Sequence, residues 1–427
     1  MKYRIINGIL LLWDGINFTL KKEELFINGS KIEAIGTNGI NNLGDYETIN
    51  ASDQLVMPGL INTHTHVYMN FMKNSADDLP FDNWLFDKIF AVEAKMSKKD
   101  FYWSTMLGCI EMIKTGTTSF LDMHICENEC AKAAKDSGLR AFLGKCIIGN
   151  DLYGDGYESF HKALLEKDKF ESNLLKFVLS PHSIYSCSTK MLSQIASEAD
   201  KRNMLKHIHL SESSKEIANC LKEHRKTPVE LLHSLDFLDN KTIAAHCVKI
   251  NNSDIKLLHK NSVNVATAPS SNAKLGNGAA PIKKMLDNGI NVCLGTDSAA
   301  SNNTLNMFRE MNILSLIHKA KKETAVDFSA KDVLKTATLN PAKALNMKDQ
   351  IGIISQGAFA DLIFLDLKSP SLFPNNDIIS SLRYCANGAE VTSVMVNGSF
   401  LMRSRELTSI DSERIYYEAE RIAAKYF

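Results

Sequence analysis

Pro58-Gly59-Leu60-Ile61-Asn62-Thr63-His64-Thr65-His66 is the stretch whose reading decides the fold. A Pro-Gly pair opens it, a short apolar run follows, and two histidines one residue apart close it. Side chains alternate along a strand, so His64 and His66 point to the same side. Two imidazoles on one face at a strand end can bind one metal ion. An H-x-H pair gains weight at the end of a barrel strand, because barrel enzymes place their catalytic groups at C-terminal strand ends.

Seven further apolar strands follow: Thr118–Leu121, Ala141–Leu143, Phe177–Leu179, Leu205–His209, Thr242–Ala245, Val263–Ala266 and Val292–Leu294. Helical stretches separate them. Strand and helix in alternation imply a parallel sheet. With Leu60–Asn62 the count is eight, which predicts an α/β fold of the (β/α)8 TIM barrel class over residues 56–350. The flanks differ in texture, with short strands joined by tight turns. Residues 1–55 and 351–427 are expected to form one composite β-sandwich built from both termini. Three Asn-Gly pairs, at 7–8, 28–29 and 397–398, predict two-residue hairpin turns. Ala360–Leu365 is a further strand.

Composition fits an ordinary soluble globular protein, with 44% apolar and 23% charged residues in 427. Lys+Arg and Asp+Glu both number 49. No long basic run appears, so nucleic acid and anionic membranes have no electrostatic support as partners. The N-terminus is apolar in two short pieces without a small-residue cleavage site, so no signal peptide is expected. No stretch approaches the ~18–20 apolar residues of a membrane span. The nine cysteines are scattered, and Cys126/Cys130 lack a matching second pair. That pattern predicts reduced thiols and a cytoplasmic location, with no Cys-only zinc site.

Further polar elements fall at the ends of the fifth, sixth and eighth strand candidates. His207-Ile208-His209-Leu210-Ser211-Glu212 offers His209 as a third metal ligand and Glu212 just beyond the strand, within reach of water on the ion. His207 has the same parity but lies deeper, as a hydrogen-bonded supporting histidine. His246 ends the sixth strand. Asp297, in Gly295-Thr296-Asp297-Ser298, follows the eighth and can ligate the ion or take a proton from its water. Three His and one Asp leave room for water. A divalent ion makes hydroxide available near neutral pH. The reaction expected is attack on an electrophilic ring carbon that bears an exocyclic amine. Glu212 donates a proton to the ring nitrogen and shuttles protons to leaving ammonia, while His246 and Asp297 orient and deprotonate the water.

Together these residues resemble the amidohydrolase superfamily over nearly the whole chain, including Thr338-Leu339-Asn340-Pro341-Ala342 and Gly357-Ala358-Phe359-Ala360-Asp361-Leu362. Within it the chain looks most like the 5-methylthioadenosine/S-adenosylhomocysteine deaminases. The residues behind that likeness are Trp84-Leu85-Phe86 with Glu93, Ser180-Pro181-His182-Ser183, Ser271 to Gly278 and Gly295 to Asn303. The resemblance implies that Glu93 accepts hydrogen bonds from ribose hydroxyls, that His182 contacts substrate and that Trp84 lines the pocket. It also implies a homo-oligomer. The fourth strand ends without the Lys that a two-metal site would need, so one ion is expected, zinc foremost, with iron or manganese as alternatives. Family arginines after the third strand are replaced here by Lys145, and residues 149–157 hold no Arg or Lys. Lys lacks the bidentate fork for a carboxylate, which favours an uncharged 5′ substituent.

Two alternatives stay open. One is a related deaminase or chlorohydrolase acting on guanine, another nucleoside or an s-triazine. The other is a non-catalytic scaffold, against which the full set of ligands argues.

Overall fold

In the computed structural model, residues 1–38, 40, 42–126, 128–149, 156–326 and 328–427 are described. Seven short strands come first: β1 (Lys2–Ile6), β2 (Ile9–Trp13), β3 (Phe18–Lys21), β4 (Leu25–Asn28), β5 (Lys31–Ile35), β6 (Glu47–Asn50) and β7 (Gln54–Pro58). The middle of the chain carries β8 (Leu60–His66), β9 (Thr117–His124), β10 (Arg140–Ile147), β11 (Leu175–Pro181), β12 (Leu205–Leu210), β13 (Thr242–His246), β14 (Asn264–Thr267), β15 (Asn291–Leu294) and β16 (Asp297–Ser298). Four strands close the chain: β17 (Leu362–Asp366), β18 (Val391–Val396), β19 (Ser399–Arg403) and β20 (Glu406–Leu407).

The central nine strands form one curled parallel sheet, ordered β15-β14-β13-β12-β11-β10-β9-β8-β16. All eight predicted strands are present. β15 pairs with β14, and β16, two residues further on, pairs with β8. One segment, 291–298, therefore lies beside both ends of the strand order. The strands are apolar in runs because both faces are covered. Ile61, Leu121, Phe142, Val178, Leu205, Ile243, Ala266 and Cys293, one from each of β8 to β15, share an inner core cluster. Helices pack over the outer face, where Leu143, Leu179 and Val265 belong to a separate, larger core.

Two further sheets lie outside this one, ordered β5-β4-β1-β6 and β20-β19-β18-β17-β7-β2-β3. The second mixes strands from both ends of the chain. Tyr3, Ile5, Leu25 and Ile27 of the first sheet share a core with Leu10, Val56, Leu362 and Met395 of the second. The turns at 28–29 and 397–398 are hairpins as predicted, joining β4 to β5 and β18 to β19. The turn at Asn7-Gly8 is not. β1 pairs with β4 and β6, whereas β2 pairs with β3 and β7, so the chain crosses between sheets there. The last helix, Ser412–Tyr426, returns to the central sheet's helix layer and packs Ile415 with Met106 and Ile110 of helix Lys98–Lys114. Among the described residues, no helix is long and apolar enough to cross a membrane.

A buried ion pair ties the central sheet to the outer ones. Arg140 of β10 donates to both carboxylate oxygens of Asp361, at 2.7 and 3.1 Å, and to the Asn173 carbonyl at 3.0 Å. Asp361 also accepts from the Asn397 backbone. Both side chains are 1% exposed. Removing one partner leaves the other charge buried and unpaired. Arg140→Ala is therefore expected to lower the unfolding free energy by about 3–5 kcal/mol, read as a fall in denaturant midpoint.

Candidate active site

His64 and His66 end β8, His209 lies near the end of β12, His246 ends β13 and Asp297 opens β16. Ligand atoms of His64, His66 and His209 lie within 4.8 Å of one another, as do those of His64, His246 and Asp297. Asp297 Oδ1 stands 3.4 Å from His64 Nε2 and 3.5 Å from His66 Nε2.

Local backbone explains why these side chains face inward. The register of β8 shifts between Asn62 and Thr65, which rephases the strand after Ile61. His246 has φ 72° and Asp297 φ 62°, in the left-handed region. Ala244, two residues before His246, belongs to the outer core. The left-handed turn thus brings His246 back toward the inside. Such strain collects at functional sites.

Hydrogen bonds on the far side of each ring set its tautomer. Nδ1–H of His66 donates to the Met123 carbonyl at 2.8 Å, and that of His209 donates to the His182 carbonyl at 2.8 Å. A carbonyl only accepts, so both neutral rings turn a bare Nε2 lone pair toward the centre. These two nitrogens are 3.2 Å apart. Facing lone pairs at that range repel unless a cation lies between them. A tetrahedral zinc at ~2.05 Å from each would separate them by about 3.3 Å. His64 Nε2 is buried without a hydrogen bond. Burial, the largest cause, pushes His64 down to about 4 and holds His209 well below its ordinary value, which keeps both in the neutral, ligating form. The donor set therefore fits a divalent ion.

Asp297 divides its oxygens. Oδ2 accepts from Ser271 at 2.6 Å and Ser301 at 2.9 Å, while Oδ1 faces the imidazoles. His246 Nδ1 lies 2.9 Å from Asn272 Oδ1, and its Nε2 lies 3.8 Å from Glu212 Oε2. Asn277 donates to Glu212 Oε1 at 3.0 Å. The backbone N–H groups of Ser211 and Glu212 donate to Glu216, at 2.9 and 2.7 Å. Burial raises the Glu212 carboxyl above its usual range, which suits a proton donor. His207 lies 3.0 Å from His64 Nδ1, the supporting position expected of it.

A cavity of about 370 Å³ opens above this cluster, lined by His66, His209, Glu212, His246 and Asp297 together with Glu93, His182 and Trp84. Glu93 and Trp84 come from the segment after β8, which includes a π-helical stretch over Asn83–Ile89. Tyr68 donates to Glu93 at 2.5 Å, and Trp84 Nε1 donates to the Ala300 carbonyl at 3.3 Å. Burial pushes the Glu93 carboxyl up to about 7, with the Tyr68 hydrogen bond opposing. His182 Nδ1 sits 3.1 Å from Ser183 and 3.0 Å from Ser186.

Lys145 is the predicted site residue that the structure does not bring here. Its neighbour Cys146 lines the cavity, so alternation turns Lys145 to the outer face, where Nζ donates to the Ile125 carbonyl at 2.7 Å. No Lys or Arg is among the described lining residues. Of the stretch 149–157, residues 150–155 lie outside the described residues. The supports Ser271, Asn272, Asn277, Ser301, Tyr68 and Glu216 were not assigned roles from sequence. The polar run Ser270-Ser271-Asn272 after an apolar strand marked the place of the first two but not the residues they would meet.

The model of the amidohydrolase family matches residues 55–401, and the chain belongs to that family. Members are metal-dependent hydrolases. A 5-methylthioadenosine/S-adenosylhomocysteine deaminase of Caldanaerobacter subterraneus subsp. tengcongensis is 39% identical over 98% of this chain and 97% of its own. A 5′-deoxyadenosine deaminase of Methanocaldococcus jannaschii is 38% identical over 94% and 96%. Among solved structures, an adenosine deaminase from Xanthomonas campestris with bound zinc superposes with a TM-score of 0.93 at 28% identity, covering 99% of this chain and 98% of that one.

Proposed function

We propose that the chain is a 5-methylthioadenosine/S-adenosylhomocysteine-type deaminase, an aminohydrolase acting on a cyclic amidine C–N bond. It releases ammonia from C6 of an adenine nucleoside and leaves the inosine analogue. Candidate substrates are 5′-methylthioadenosine, S-adenosylhomocysteine, 5′-deoxyadenosine and adenosine. The observation that carries the reading is the pair of facing Nε2 lone pairs of His66 and His209, 3.2 Å apart beneath a cavity that also holds Glu212 and Glu93.

His64, His66, His209 and Asp297 would hold one divalent ion, with zinc favoured over iron or manganese. When bound, it supplies Lewis acidity and brings the pKa of water toward neutrality. Asp297 Oδ1 and His246 orient the attacking water and take its proton. Glu212 protonates the ring nitrogen, then passes a proton to the departing amine. Asn277 keeps Glu212 aimed at that nitrogen. Glu93 accepts from the ribose hydroxyls, since one carboxylate can accept from both. His182 and Trp84 contact the substrate, and Lys145 stays off it. Residues 56–350 form a closed (β/α)8 barrel, with 1–55 and 351–427 as a composite β-sandwich whose last helix reaches back to the barrel. The enzyme works in the cytoplasm as a homo-oligomer.

Ammonia release from adenosine, 5′-deoxyadenosine, methylthioadenosine, S-adenosylhomocysteine and guanine tests the reading. Turnover of guanine alone would overturn it. Glu93 gives a pH test as well. Its carboxyl is neutral below about 7 and must be ionised to accept both hydroxyls. KM for a ribonucleoside is expected to climb as pH falls through about 7, toward about tenfold per unit. Glu93→Gln should raise KM about 10- to 100-fold and flatten that profile. A KM unchanged in the variant would remove Glu93 from the ribose.

A further inference from the structure

Behind one wall of the cavity three ionisable side chains are buried together. His124 ends β9, Lys145 lies beside it in register on β10, and Glu166 comes from helix Tyr157–Phe170. They are 0%, 6% and 2% exposed. None lines the cavity. All three attach to backbone just past the end of β9, at residues 125, 126 and 128. Lys145 Nζ donates to the Ile125 carbonyl at 2.7 Å. His124 Nδ1–H donates to the Cys126 carbonyl at 2.9 Å. Glu166 Oε1 accepts from the Asn128 backbone at 2.7 Å, and its Oε2 lies 3.3 Å from His124 Nε2.

A metal does not suit the cluster, because the Lys145 ammonium beside Glu166 would repel it. Burying charges is costly, and an apolar trio of the same volume would often be as stable. What the charges add is direction, since each reaches a different backbone atom of this stretch. The side chain that this stretch presents to the cavity is Ile125, next to Cys146 and Ile148.

We propose that Lys145, His124 and Glu166 are positioning residues for substrate binding. They clamp the backbone of Ile125, Cys126 and Asn128 and set Ile125 in the cavity wall, so that Lys145 governs nucleoside affinity without touching the nucleoside. This rests on the deaminase reading of the cavity. The test is KM and kcat of Lys145→Met and Glu166→Gln on adenosine, methylthioadenosine and S-adenosylhomocysteine. KM is expected to rise about tenfold on all three alike, with kcat within about twofold. Ile125→Ala, which touches no charge, should reproduce the KM rise and covers the case in which Lys145→Met does not fold. A rise confined to S-adenosylhomocysteine would mean that Lys145 meets the substrate's carboxylate, and would overturn the clamp. So would unchanged KM values, or a loss in kcat that only follows the folded fraction. If the wild type deaminates none of the three, the deaminase reading fails, and amide hydrogen exchange across residues 124–130 then decides the clamp. Faster exchange in Glu166→Gln supports it, and unchanged exchange overturns it.

Discussion

Glu212→Gln is expected to give a folded, metal-loaded protein that binds adenine nucleosides but turns them over roughly 10³- to 10⁴-fold more slowly. The size of the effect follows from what Glu212 alone can do. It sits in the cavity beside His246, and burial keeps its carboxyl above the usual range. An amide keeps the shape, and its oxygen can still accept from Asn277. It cannot carry a proton to the ring nitrogen or onward to ammonia. The loss should therefore appear in kcat, with KM little changed. Loss of adenine absorbance measures turnover, and calorimetry with a nucleoside measures binding. Activity within tenfold of wild type would dismiss Glu212 as the proton donor.

Metal removal should be at least as damaging. Water stripped of its ion returns to a pKa near 15.7, so the nucleophile is almost absent at pH 7. Exhaustive chelation is expected to cut activity by about 10³-fold or more, and stoichiometric zinc, iron or manganese to restore it. Elemental analysis should find one ion per chain. His209→Ala should lose both the ion and activity, because its Nε2 is one of the two facing lone pairs. The ion should also raise the melting temperature of the wild type and leave the variant's unchanged, since only a protein that binds it gains stability by mass action. An active protein free of metal would remove the basis for every catalytic role assigned here.

Much of this was legible in the order of residues. The eight inner strands stood out because both their faces are covered, which makes them short apolar runs with polar groups only at one end. Asn397-Gly398 announced its hairpin, and its φ values of 52° and 75° are those that such a turn requires. Asn7-Gly8 carries the same dipeptide and makes no hairpin. A Cβ on Gly8 would come within 3.0 Å of Ala51 and 3.2 Å of Val56, so this glycine serves a close approach. A dipeptide cannot reveal which strand its neighbours will pair with. The outward side of Lys145, by contrast, could be counted from the strand. Phe142 faces inward, and counting alternate residues from it would have turned Lys145 outward. The supports of Asp297 and His246 were beyond reach, because Ser271 and Asn272 meet those residues only once separate loops have come together.

The segment between β8 and helix Lys98–Lys114 supplies Trp84 and Glu93, whereas the proposed ligands of the ion stand on strands of the central sheet or their immediate ends. Part of recognition is thus encoded in a stretch of polypeptide separable from reactivity, while His182 and Ile125 add to it from the sheet's strand ends. Exchanging residues 80–96 for a different loop could redirect the catalyst to another amino-substituted heterocycle while its reactive centre stays intact. A lineage built this way can diversify its diet by editing fewer than twenty codons.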